Sequence, residues 1–208
     1  MTVSAHRHPL GLLCLSLVVA TLTAGCEAVT TTVPIGDPVP KPDAVKTLDG
    51  LWVGSGDEDL FVLVRQHDDG RLVIGMLEAD EDRFAIRHID GLLTLHREAA
   101  YLHLDRHDFE DKDDGPDPDP VEYLFFRLLP TGEDQLVLLA PEKRFFAQAI
   151  ESGRLAGEVE RNDQRGIRNV RIDGGKAQLD ALADPAAVGE QFVVDQPWVW
   201  TRVAGGDD

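Results

Sequence analysis

From Leu48 onward, short apolar runs alternate with tight polar turns, and the repeat is two residues rather than a helical three to four. Gly50-Leu51-Trp52-Val53-Gly54 opens the series and Leu60-Phe61-Val62-Leu63-Val64 follows it. His67-Asp68-Asp69-Gly70 then leads into Leu72-Val73-Ile74-Gly75-Met76-Leu77, and an Asp-Gly pair between two such runs signals a hairpin. Phe84 and Ile86 alternate with Arg83, Ala85 and Arg87, and Asp90-Gly91 predicts another turn before Leu93 and Leu95. In Tyr101-Leu102-His103-Leu104-Asp105 the leucines are expected on the core face, with Tyr101, His103, Asp105 and His107 facing away from it. Beyond a loop at 108–120, residues 122–128 and 135–139 predict a second hairpin, turned by Pro130-Thr131-Gly132-Glu133-Asp134.

The period changes after Pro141. Phe145, Phe146, Ala149 and Ile150 fall on one helical face, with Pro141 in the first turn and Gly153 as the stop. Strands are expected at 155–159 and 170–172, and a short helix at 176–183 ends before Asp184-Pro185. Residues 192–194 and 198–203 read as the last strands. Strands in series, without alternating crossover helices, predict a mainly β fold. An antiparallel meander of about eight or nine strands closes on itself to remove its edges. The expectation is therefore a small barrel over residues 48–203, with one or two short helices and a helix against one opening.

The N-terminus follows other rules. Arg7 and its flanking histidines precede an apolar run from Leu10 to Leu22, no acid occurs before Glu27, and the small residues Ala24 and Gly25 lead to Cys26. The run is shorter than the roughly 20 residues a membrane-spanning helix needs. Leu22-Thr23-Ala24-Gly25-Cys26 resembles the lipobox of a bacterial lipoprotein signal, although Thr23 stands where leucine is commonest. The resemblance implies removal of residues 1–25 and acylation of Cys26, palmitate included. It also implies a lipid-anchored envelope protein. Glu27, rather than aspartate, after the cysteine implies the outer membrane, facing the periplasm. Residues 26–47 carry Pro34, Pro38, Pro40 and Pro42. They read as a tether, able at about 3.1 Å per residue to hold the domain on the order of 60 Å from the bilayer. Residues 204–208 form an acidic tail.

Composition narrows the function classes. A net charge of −18 opposes nucleic acid and bare anionic lipid, and it permits a cationic protein partner or a divalent ion. Of the two cysteines, Cys14 lies in the signal, so no disulfide is expected in the mature chain and packing must supply its stability.

Gly50-x-Trp52 on the first strand is similar to the lipocalin signature, and that resemblance implies a lipocalin-like barrel with a late arginine, here Arg202, lying across the tryptophan. Such a barrel can hold an apolar small molecule, and Trp52, Phe61, Phe84, Phe125 and Trp198 are the candidate cavity residues. The acidic loop, with Asp111, Asp113 and Asp114, is the candidate for a divalent cation. Its spacing is not that of an EF-hand: with Gly115 at the sixth position, the third falls on Lys112 and the twelfth on Val121. His103 and His107 share a strand face and are weaker metal candidates. No phosphate-cradling loop, His-Glu-x-x-His or Gly-x-Ser-x-Gly elbow occurs. No catalytic residue and no cofactor are expected. The expected function is that of a non-catalytic binding module. A carrier of an apolar ligand and a cation-binding protein are the alternatives.

Overall fold

The computed structural model describes residues 28–41, 48–55, 60–80, 83–109, 121–132 and 134–203. The strands, in chain order, are β1 (Val29–Thr31), β2 (Asp37–Pro38), β3 (Gly50–Ser55), β4 (Leu60–Gln66), β5 (Arg71–Asp80), β6 (Arg83–His96), β7 (Ala99–Asp105), β8 (Tyr123–Pro130), β9 (Gln135–Leu139), β10 (Gly157–Arg161), β11 (Ile167–Ile172) and β12 (Trp198–Arg202). The helices are α1 (Lys143–Glu151), α2 (Lys176–Leu182) and α3 (Val188–Gln191).

Eight strands close an antiparallel barrel in the order β3-β4-β5-β6-β7-β8-β9-β12, with β12 returning to β3. The mainly β barrel expected from the sequence is therefore the fold. β8 also carries a branch. The end that pairs with β9 is Arg127–Pro130, while Tyr123 and Leu124 pair with β1. β1 in turn runs parallel to β11, and β10 pairs with β11. This small side sheet leaves the barrel wall and supports α1.

Strand alternation sorts the side chains into two cores. The barrel interior takes Trp52, Val62, Val64, Leu72, Ile74, Ile89, Leu93, Leu102, Leu104, Phe126, Leu128, Leu136, Leu138 and Trp200. A second core forms outside the wall at β7, β8 and β9. There Tyr101, Phe125 and Leu139 point away from the barrel and meet Phe146, Ala149, Leu155, Val170, Ile172, Leu179 and Phe192. Phe125 meets Phe146 edge-on at 5.6 Å and Phe192 at 6.4 Å. The helix expected over one opening instead lies against this outer wall and the side sheet, because Tyr101, Phe125 and Leu139 point outward there and need cover.

Three sequence expectations are corrected. First, residues 28–41 do not act as a free tether. β1 completes the side sheet, Val29 and Ile35 are buried, and Val39 donates its N–H to Leu93 O at 3.0 Å. The prolines permit this because Pro38 lies on the short edge strand β2, where no donor is required. Second, Asp90-Gly91 is not a turn. β6 runs through it as one 14-residue strand, pairing with β5 along its first part and β7 along its second. A Cβ at position 91 would stand 3.0 Å from His103 O, so the glycine marks a close backbone approach. The chain reverses instead at Arg97-Glu98, where Arg97 takes φ +48°. Third, residues 192–194 make a single bridge, Phe192 with Pro141, rather than a strand. α1 correspondingly starts at Lys143, with the Glu142 carboxylate accepting Arg144 N–H at 3.1 Å.

Candidate functional site

One end of the barrel is closed by side chains that the sequence had singled out. Trp52 is buried and donates its indole N–H to Leu48 O at 2.9 Å. The Arg202 guanidinium carbon lies 4.4 Å from its ring centroid, and Arg202 Nη1 also donates to Asp49 O. Gly50 takes φ +134°, and a Cβ there would meet Arg202 Nη1 at 2.9 Å. Gly50, Trp52 and Arg202 are thus one packing unit: the glycine leaves room for the arginine that lies over the tryptophan.

The four proposed cavity residues whose side chains are described do not assemble. Of these, Trp52 alone is buried inside the barrel. Phe61 is one residue out of phase with inward Val62, so it sits on the outer surface at 38% exposure. Phe125 is out of phase with inward Phe126 and belongs to the outer core. Trp198 shares the inward phase of Trp200 but lies at the mouth, 44% exposed, with its ring 5.2 Å from Phe126. The Phe84 side chain lies outside the described residues. An eight-strand barrel is about wide enough for its own side chains, and Trp52, Phe126 and Trp200 occupy much of this one.

The metal candidates separate as well. Asp111, Asp113 and Asp114 lie outside the described residues. His103, expected to face water, is fully buried because the 28–41 strap covers that side of β7. The Thr94 hydroxyl donates to Ile35 O at 2.5 Å, so its oxygen accepts from His103 Nε2–H at 3.1 Å. His107 has left the strand in a 3-10 turn at Arg106–Phe109 and pairs with Asp105 at 3.1 Å. Among the described residues no three ligating side chains gather.

Desolvation pushes the His103 pKa down to about 3, and contact with the Ile35 backbone opposes this only in part. The neutral ring therefore stabilises the fold above the unfolded-state value near 6.5. As pH falls from there, the unfolded chain takes up a proton that the folded chain refuses. That contribution is lost at up to about 1.4 kcal/mol per pH unit. His103→Leu is expected to flatten the acid limb of stability between pH 6 and 4 by about one proton, read from urea melts across that range. Parallel limbs for the two proteins would contradict the assignment.

On the opposite wall the outer face of the barrel is apolar and, among the described residues, uncovered. Val53, Phe61, Leu77 and Ile86 stand directly opposite one another across β3, β4, β5 and β6. Leu51 and Leu63 form a neighbouring pair. Leu63 is 58% and Ile86 75% exposed. Gly75 leaves the centre of the face without a side chain. An antiparallel sheet normally turns polar residues outward, so this inversion is the feature alternation alone could have revealed: both phases of β4 are apolar. A separate open depression of about 510 Å³, lined by Glu142, Arg144, Phe145, Gln148 and Glu190, is polar and shallow.

The chain matches no family model, no curated protein sequence and no solved structure.

Proposed function

We propose that this protein is a lipid-anchored envelope lipoprotein, held at the outer membrane through Cys26, whose barrel is a non-catalytic docking module for a basic protein. The observation that carries this reading is the exposed apolar face of β3–β6. Contiguous exposed apolar surface marks an interaction site, and the two best-exposed members here, Leu63 on β4 and Ile86 on β6, flank Gly75 on the strand between them. The connections entering those strands carry Asp57, Glu58 and Asp59, and Asp80, Glu81 and Asp82. An apolar face on strands whose connecting segments are acidic in sequence, in a chain of net charge −18, favours a partner with an apolar patch and a basic rim. A second copy of this chain is disfavoured, because each copy brings a charge of −18. The large side chains Trp52, Phe126 and Trp200 inside the barrel favour this reading over a carrier of an apolar ligand. Among the described residues no helix is long and apolar enough to cross a membrane.

A photoreactive residue at position 63 or 86 in the full chain, activated in intact cells, tests the reading. The expected result is one adduct, identified by mass spectrometry as a basic protein, and its absence when the same residue is placed at exposed position 163. Adducts only to a second copy of the chain, equal labelling from position 163, or no adduct would overturn it.

A further inference from the structure

The outer core holds a charge that no carboxylate among the described residues pairs with. Arg127 points outward from β8, directly between Tyr101 on β7 and Leu139 on β9. It is only 8% exposed. Its Nε and Nη1 are buried without a hydrogen-bond partner, and so is the Tyr101 hydroxyl beside it. Buried polar groups in folded proteins nearly always have partners, and a buried guanidinium is ordinarily paired with an anion. The nearby carboxylate of Asp180 makes no ion pair with Arg127. Asp180 accepts from Gly36 N–H at 2.9 Å and from Lys176 Nζ at 2.5 Å, and it has His96 Nδ1 at 3.7 Å. His96 Nε2 is itself buried without a partner. Burial pushes the Tyr101 pKa up, and the charge and close approach of the Arg127 guanidinium oppose this only in part, so the phenol keeps its proton and is a donor.

We propose that Arg127 and Tyr101 form an oxyanion-binding site in the outer core, taking a phosphate or carboxylate group. Arg127 supplies charge and N–H donors, and Tyr101 supplies a hydroxyl. An oxyanion suits this set because the orphaned groups are donors, while neutral polar ligands would leave the charge unanswered. The site lies on the wall opposite the β3–β6 face, so it stands or falls independently of the docking reading.

The test is thermal melting of the full chain in inorganic phosphate and, separately, in octanoate, against chloride at equal ionic strength. At about one hundred times the dissociation constant, the expected rise in melting temperature is roughly 5 °C, and it saturates. A rise in phosphate assigns a free phosphate-type anion, and a rise in octanoate assigns an acyl carboxylate. Arg127→Met, which keeps the length and removes every donor, is expected to abolish the rise. Tyr101→Phe keeps the charge and is expected to weaken binding about tenfold, which gives a reading even if the methionine variant does not fold. Equal rises in wild type and variants, or no rise above chloride in either anion, would overturn the proposal.

Discussion

A chain that begins at Leu48 is expected not to form the outer core. Removing residues 28–47 takes away β1, the strand that joins β8 to β11. Thr30, Thr31, Val29 and Ile35, all buried, would leave the structure. The exposed edges of β8 and β11 would then present unpaired backbone groups, and Val170 and Ile172 would lose the strand beside them. Thr94 and His103 would lose the Ile35 carbonyl that orients their hydrogen bonds. Two buried aliphatic residues contribute about 2–5 kcal/mol each, which is comparable with the whole stability of a typical domain. The expected readout is loss of near-ultraviolet circular dichroism and binding of a hydrophobic dye at room temperature. A truncated chain that melts cooperatively within a few degrees of the full one would show that the strap is dispensable.

The second large effect falls on the closed end of the barrel. Trp52→Ala removes the largest fully buried side chain and orphans the Leu48 carbonyl. The expected cost is about 3–5 kcal/mol, a fall in melting temperature on the order of 10 °C. Arg202→Met leaves the ring in place but removes the charge over it and the donor to Asp49 O. Its expected cost is smaller, about 1–2 kcal/mol. The double variant is expected to cost less than the sum of the two, since the arginine's main partner is already gone. Strict additivity would contradict the packing unit of Gly50, Trp52 and Arg202.

The barrel was legible because its signals are local. Two-residue alternation, the His67–Gly70 turn and the Pro130–Asp134 turn each report on their own neighbours, and eight closing strands follow from them. The packing of Arg202 over Trp52 was also legible, from two short stretches. The outer core was not. Whether Tyr101, His103 and Phe125 face water or a second layer depends on residues 28–41 and 141–192, which reach them only through the fold. The prolines of the strap predict a tether, yet proline's fixed φ is compatible with extended chain and its missing donor is tolerated on an edge strand such as β2. Asp90-Gly91 carries the same letters as a hairpin turn but serves a close strand crossing. The reversal at Arg97-Glu98 lacks glycine altogether, so no local signal marked it.

The candidate site shows the same division. Choosing aromatic residues without fixing strand phase placed Phe61 and Phe125 in a cavity, although each is one position away from an inward side chain. Arg127 drew no attention in the sequence, where it is one of 20 basic residues. It becomes unusual only when burial and the absence of a partner are seen together.

The central claim is that the barrel is filled by its own side chains and works through its outer surface. Native mass spectrometry of the full chain, purified gently from cells, tests this most directly. The expected result is the mass of the covalent chain, alone or with a protein partner, and no non-covalent lipid-sized component. A stoichiometric lipid-sized mass, released only on denaturation, would contradict it and make the barrel a carrier.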